Sequence, residues 1–355
     1  MDVQTVRLSD SLNIRPVLTF ESSEYPTCRP KLQRRLNIQK HFMSTKSKVL
    51  VTGGAGFIGS HVVDQLMSKG NYEVMVMDNL VTGRLNNLTH HGEAVILINA
   101  DISDSSSWQT LNFTPDYIIH LAAQVSVPAS FGDPAYCHRV NVSGFLNMLD
   151  FARVNKVKKV VYASSSAIYG DQGERRINES DAPNPLSPYG ASKLLNEWYA
   201  GKYHEWFGVS AIGLRFFNVY GPRQLNDSPY SGVIAKFKHL IQNEQPVTIF
   251  GDGKQTRDFV YVTEVAKAIE LAMLSPASLN VFNVGTGEPC DLTHLAEIFS
   301  SVFGRELALQ YQPAREGDIR HSRANVGKLK TELGFQSTID LKEGVRLLTS
   351  TEEEK

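Results

Sequence analysis

The stretch "KVLVTGGAGFIGSHVVDQLMSKG", residues 48–70, restricts the fold more than any other part of the chain. It runs from a short apolar segment through closely spaced glycines into an amphipathic helical pattern closed by Gly70. Gly53, Gly56 and Gly59 follow G-x-x-G-x-x-G spacing, and Gly54 adds an overlapping G-x-G-x-x-G. Glycines at these places allow a tight turn, a close approach of backbone to a pyrophosphate and close packing of helix on strand. The helix N-terminus then offers free N–H groups and its positive dipole end to the phosphates. Alone the string fits any glycine-rich turn. Between a strand and a helix it predicts a dinucleotide site. A second strand, "YEVMVMDNL" (72–80), brings Asp78 to its end, 25 residues beyond Gly53. An acid there accepts hydrogen bonds from the ribose hydroxyls of NAD and repels the 2′-phosphate of NADP, so NAD is the expected cofactor.

The alternation continues. "AVILINADISD", "PDYIIHLAAQ", "VKKVVYASSSAIYG" and "VSAIGLRFFNVYG" are four further strands, with helical stretches such as 136–155 between them. Strands alternating with helices predict an α/β fold, a doubly wound parallel sheet whose ligands bind at the carboxyl ends of the strands. Gly53, Asp78, Asp101, Ala122, Ser164–Ser166 and Asn218 lie at those ends.

Composition narrows the partners. With 36 Lys+Arg against 37 Asp+Glu, the net charge of −1 gives no concentrated basic field for nucleic acid or a membrane surface. No apolar run reaches the roughly 18 residues that span a bilayer. Cys28, Cys137 and Cys290 are too few and too scattered for a disulfide framework or a metal cluster, which points to a reducing cytoplasm and to no metal. Residues 1–42 show no sustained periodicity and no long apolar centre, and their acids argue against a transit peptide. With Met43 just before the ordered pattern, residues 1–45 are expected to be a disordered extension or an upstream start.

"SPYGASK" (187–193) places Tyr189 and Lys193 one helical turn apart, on one face. Such a pair is often surface decoration. Here it follows a dinucleotide motif and a serine-ended strand. A free phenol has a pKa near 10, so using it as a base at neutrality requires lowering that value at a cost of about 4 kcal/mol. The ammonium of Lys193 is expected to supply part of this, and oxidised nicotinamide more. A serine of "ASSSAIYG" can hydrogen-bond both phenolate and substrate. The implied reaction is proton removal from an alcohol coupled to hydride transfer.

With these motifs in order, residues 48–347 resemble an extended short-chain dehydrogenase/reductase of the nucleotide-sugar epimerase family, close to the UDP-glucose and UDP-N-acetylglucosamine 4-epimerases. The segments that carry the resemblance are "VTGGAGFIGSH", "DNLVTGR", "SPYGASK", "LRFFNVYGPRQ", "IFGDGKQTRDFVYV" and "REGDIRHS". The resemblance implies that Tyr189 is the base, that Lys193 is its electrostatic partner and ribose contact, and that Ser165, with Ser166 behind it, is the catalytic hydroxyl. It implies a cofactor site of Gly53, Gly56, Phe57, Ile58, Gly59, Asp78, Asn79, Asp101, Ile102, Leu121, Ala122, Ala123, Asn141 and Ser164. Asn218 would bind the sugar or its phosphate link, Arg257 and Arg315 would clamp the diphosphate, and Asp318 would hold the uridine ribose. Paired guanidinium forks suit phosphate oxygens. The family reaction oxidises C4, lets the 4-keto sugar swing about its diphosphate, and reduces the other face.

The 4,6-dehydratases carry an Asp-Glu pair where this chain has Ser166 and Ala167, which argues against dehydration. UDP-uronate 4-epimerases and decarboxylases stay open. A non-catalytic NAD-sensing regulator is disfavoured, because such proteins typically lose the Tyr or the Lys. Ser322, seven residues after Arg315, occupies the position that walls the sugar pocket in the family. A small residue there leaves room for an N-acetyl group. The expected division is a Rossmann-type NAD domain, 46–214 with 261–285, and a smaller C-terminal α/β substrate domain, 215–260 with 286–347. A homodimer through the helices around 136–155 and 189–206 is implied by the resemblance alone.

Overall fold

The computed structural model describes residues 5–6, 46–225, 232–314 and 319–350. Arg315 and Asp318 lie outside the described residues. Strands β2 (Ser47–Thr52), β3 (Tyr72–Asp78), β4 (Val95–Asn99), β5 (Tyr117–His120), β6 (Lys159–Ser165), β7 (Ala211–Phe216) and β11 (Leu279–Val284) form a parallel sheet. A two-residue strand, β1 (Thr5–Val6), lies antiparallel on its β4 edge. The order is β1-β4-β3-β2-β5-β6-β7-β11. The direction of winding therefore reverses between β2 and β5, which opens a crevice at their carboxyl ends.

Alternate residues of each strand serve opposite faces. Val49 and Val51 of β2 join Val62, Val63 and Leu66 of α1 (Phe57–Lys69) and Val265, Ile269 and Met273 of α8 (Val262–Leu274) in one core. Leu50 joins Phe145, Met148 and Leu149 of α5 (Gly144–Val154) and Ala200 and Tyr203 of α6 (Pro188–Phe207) in the other. Both faces of the sheet are thus covered, as parallel sheets require. Three short helices, α2 (Ser105–Gln109), α3 (Val127–Gly132) and α4 (Pro134–His138), lie in the connections before α5.

After β7 the chain leaves this sheet through one residue, Phe217, whose N–H donates to Val284 O at 3.0 Å. It enters a three-stranded sheet of order β12-β10-β8, made of β8 (Asn218–Tyr220), β10 (Thr256–Tyr261) and β12 (Pro289–Asp291). Beside it, β9 (Val247–Phe250) pairs in parallel with β13 (Leu309–Gln312). These strands share a separate core with α7 (Val233–Gln242), α9 (Leu292–Phe303) and α11 (Leu341–Ser350), including Tyr220, Phe237, Phe259, Phe299 and Leu348. One boundary differs from the expected 286–347. Leu329 and Leu333 of α10 (Gly327–Leu333), with Phe335, pack into the core of the large sheet. Apolar spacing in so short a helix does not say which of two cores receives it.

Candidate active site

The glycine turn follows β2. Gly53 has φ +72°, and a Cβ on it would stand 2.6 Å from the Ala122 nitrogen after β5. A Cβ on Gly59 would stand 2.1 Å from Gly53 O, so helix and turn touch backbone to backbone. Gly56 caps α1 without a side-chain hydrogen bond. By contrast α6 is capped by Ser187 and α9 by Asp291. The first N–H groups of α1, at Phe57 and Ile58, thus have no side-chain oxygen on them, as an anion site needs. Asp78 closes the neighbouring strand. Its Oδ2 accepts from Ala55 N at 3.0 Å and its Oδ1 from Leu80 N at 2.9 Å, which fixes the carboxylate beside the turn. Burial pushes this carboxyl above its ordinary value, against those two backbone donors. The close-packed glycines, the uncapped helix and the fixed acid together fit a dinucleotide.

Further along, Asn79 donates to Asp101 Oδ2 at 3.1 Å, while Asp101 Oδ1 takes both Ser103 N and Ser103 Oγ. Ile102 turns its side chain inward, where a Cβ on Gly144 would meet it at 2.8 Å, and its carbonyl accepts from Trp108 Nε1 and Asn147 Nδ2. Leu121 N donates to Thr52 O at 3.0 Å, which carries Leu121, Ala122 and Ala123 across the mouth of β2.

Asn141 sits in a π-helical turn, Arg139–Ser143, that joins α4 to α5. The wider turn aims its amide into the fold. Its Oδ1 accepts from Gln124 N at 2.7 Å, and its Nδ2 donates to Gln124 O and to Ser192 Oγ, both at 3.0 Å. Asn141 thereby holds the loop after β5 against α6 and has its hydrogen-bonding capacity taken up there.

On α6 the N-cap Ser187 accepts from Gly190 N at 3.0 Å, and Pro188 sits in the first turn. This start sets Tyr189 and Lys193 on the face toward β6. Tyr189 lies beside Ser165, whose Oγ accepts from Ala167 N at 3.1 Å. Ser166 follows at the start of a 3₁₀ turn. Lys193 is 3% exposed, donates to Ala163 O at 2.9 Å, and lies 5.8 Å from the Tyr189 ring centre. Burial pulls its ammonium down to about 8. Burial raises Tyr189, while the neighbouring Ser165 works to lower it. The desolvation of a phenolate outweighs an ammonium that is turned toward a carbonyl.

The small sheet brings together three residues that are far apart in sequence. Asn218 on β8 lies in register with Phe259 on β10, two residues from Arg257. Arg257 donates to Thr256 O at 2.8 Å, and the same carbonyl accepts from Ser322 N at 3.1 Å. Ser322 is buried. The two sheets meet because Ser165 pairs with Phe216, two residues before Asn218.

Sequence reasoning missed a buried ion pair behind the site. Arg215, in a wholly buried strand, meets Glu197 of α6 through Nε at 2.9 Å and through a second nitrogen at 2.6 Å. Ser164 donates its hydroxyl to the same Glu197, so that side chain faces away from the crevice. Arg215 also donates to Tyr169 Oη at 2.6 Å and to Glu179 O at 2.8 Å. A signal existed: an arginine inside the apolar run "AIGLRF" must find a buried acid. His120 was missed as well. It is buried, bonded to Thr52 Oγ1 at 2.9 Å, and held neutral by burial and by Lys193, which together pull it down to about 3.

Known proteins are similar to this chain in sequence and fold. A UDP-glucose 4-epimerase of Mycolicibacterium smegmatis is 36% identical over 302 residues, covering 84% of this chain and 96% of its own. The structure of a UDP-N-acetylglucosamine 4-epimerase from Methanobrevibacter ruminantium, in complex with UDP-N-acetylmuramic acid, superposes with a TM-score of 0.82 at 38% identity. It covers 86% of this chain and 98% of that one. A UDP-glucose 4-epimerase of Thermus thermophilus, complexed with NAD, gives 0.79 at 38% identity over 85% and 98% of the two chains. Residues 49–285 match the family described as "NAD dependent epimerase/dehydratase family". With the glycine cradle, the fixed Asp78 and the Tyr189–Ser165 pair all at the reversal of one parallel sheet, the chain belongs to that family: it is a nucleotide-sugar epimerase whose cofactor is NAD.

Proposed function

We propose that the chain is a UDP-hexose 4-epimerase, acting on UDP-GlcNAc/UDP-GalNAc and on UDP-Glc/UDP-Gal. The observation that carries this reading is Tyr189 set beside Ser165 at the carboxyl edge of β6, with Lys193 one turn away. Tyr189 Oη takes the proton of the sugar C4 hydroxyl and later returns one to the ketone from the other face. Ser165 Oγ holds both the phenol and the substrate oxygen, which favours the phenolate over the half-buried phenol. NAD, when bound, would supply the hydride acceptor and donor for C4 and a positive charge near the phenol. Arg257 holds the diphosphate, with Asn218 toward the sugar. Lys193 keeps its ammonium between Ala163 O and the ribose.

Ser322 supports the acetylated pair. It is buried, anchored through its N–H to Thr256 O beside Arg257, and its side chain is small. A side chain this small is expected to leave an acetamido group space that a tyrosine would fill. Products of UDP-GalNAc and UDP-Gal, each incubated with the protein and resolved by NMR, test the reading. Both pairs are expected to equilibrate. Tyr189→Phe is expected to slow both by about 10²–10⁴-fold, and Ser322→Tyr to remove only the acetylated pair. No turnover of either pair, or full activity in Tyr189→Phe, refutes it. Conversion of UDP-glucuronate alone would shift the assignment to a uronate 4-epimerase.

A further inference from the structure

A cluster outside the catalytic crevice has a different chemistry. Asp64 lies on the solvent side of α1, two turns beyond the glycine motif. Its Oδ1 is met by His90 Nε2 and by His91 Nε2, each at 2.8 Å. The two rings lie 4.0 Å apart, tilted by 42°, so two consecutive histidines turn the same nitrogen toward one oxygen. All three donor atoms lie within 4.8 Å of one another. On the other side, Arg223 stands 2.8 Å from Asp64 Oδ2 and leaves Oδ1 to the histidines.

We propose that Asp64, His90 and His91 form a binding site for a zinc-class divalent transition metal, coordinated by two imidazole nitrogens and one carboxylate oxygen with solvent in the fourth position. Metal–ligand distances of about 2.0–2.2 Å in a tetrahedron require ligand atoms about 3.4 Å apart. The present 2.8 Å separations must therefore open by about 0.6 Å. His90, with 48% of its side chain exposed, is free to make that movement, and the same exposure opens the fourth position to water. His91, at 12%, and Asp64, at 29%, form the fixed side. The guanidinium of Arg223 orients the carboxylate from behind, as outer partners of metal ligands do. It also draws charge from the oxygen, so binding is expected to be moderate and not structural in strength.

The position gives such a metal something to fasten. The segment before His90 clasps the glycine turn: Arg84 N and Asn87 Nδ2 both donate to Ala55 O, at 2.9 and 2.8 Å. On the helix, His61 reaches Pro222 O at 3.0 Å one turn before Asp64 reaches Arg223. A metal on Asp64 would staple the 84–91 segment to α1, on the helix that also holds the 222–223 loop of the second sheet.

The test uses the full chain with its bound dinucleotide, free of any polyhistidine tag, in chelator-treated buffer. Cobalt(II) is titrated and the visible absorbance of tetrahedral coordination is followed, then displaced with zinc. Thermal unfolding is recorded with and without zinc. One saturable site is expected, with zinc raising the unfolding temperature of the parent. His90→Gln/His91→Gln is expected to weaken binding at least about tenfold and to lose the shift, while keeping the parent's metal-free unfolding temperature. Asp64→Asn should weaken binding too. Equal binding by parent and double variant places the metal elsewhere and overturns the proposal. So does the absence of saturable binding up to about 1 mM metal, which would leave the cluster a hydrogen-bonded cap on α1.

Discussion

Lys193 shows how one residue proposed for the chemistry can be costly to the fold. Its ammonium is buried with a single carbonyl partner in the protein, and burial brings it from 10.5 to about 8. Between those values the unfolded chain holds a proton that the folded protein has released, so the folded state gains stability as pH rises through that window. Below about pH 8 the burial penalty is present in full. Lys193→Met removes the penalty at every pH. In dinucleotide-free protein, the urea-derived stability of the parent relative to Lys193→Met should therefore rise between about pH 7.5 and 10. The rise should approach the order of 3 kcal/mol that such a displacement represents. A pH-independent difference would show that Lys193 is not desolvated as its surroundings imply. Loss of activity in this variant is expected as well, but only the pH dependence separates burial from catalysis.

At the scale of elements, the β2–turn–α1 unit tolerates crowding unequally. A methyl group on Gly59 would press into Gly53 O at 2.1 Å and Gly54 Cα at 2.7 Å, both backbone. On Gly56 the nearest atom is Gly53 O at 3.2 Å. Gly59→Ala is expected to cost about 1–3 kcal/mol of stability, as overpacking does, and Gly56→Ala clearly less, measured by urea unfolding. Equal costs would mean that helix and turn are not in contact as described. This unit is also where the sequence was easiest to follow. Glycine spacing, apolar period and Asp78 all report local geometry, and the six strands read from the sequence lie in the large sheet. The π-turn that aims Asn141 inward was not legible, since its wider winding leaves no mark in "RVNVS". The side-chain directions of Ser164 and Ile102 were hidden too. Each depends on partners, Glu197 and Gly144, that only the tertiary fold brings near.

Across the whole molecule, Arg215 links the parts. It binds Glu197 on α6, Tyr169 after β6, and the carbonyl of Glu179. Glu179 in turn accepts from Asn283 N on β11, and nearby Ile177 N donates to Arg323 O, one residue from Ser322. Removing one partner of a buried pair strands the other charge, at about 3–5 kcal/mol. Glu197→Leu should lower stability by that amount in thermal or urea unfolding, and Glu197→Leu/Arg215→Met should regain most of it. A double variant no better than the single would show that the pair is not isolated from water. The single residue Phe217 between the large and small sheets carries a last implication. Tied to Val284 on one side and running straight into β8 on the other, it gives the chain a short, hydrogen-bonded connection between the two sheets at that seam. Under the proposed reaction, the group that must turn between the two hydride transfers is then expected to be the guest's own flexible linkage, with the host as a fixed stage at this seam.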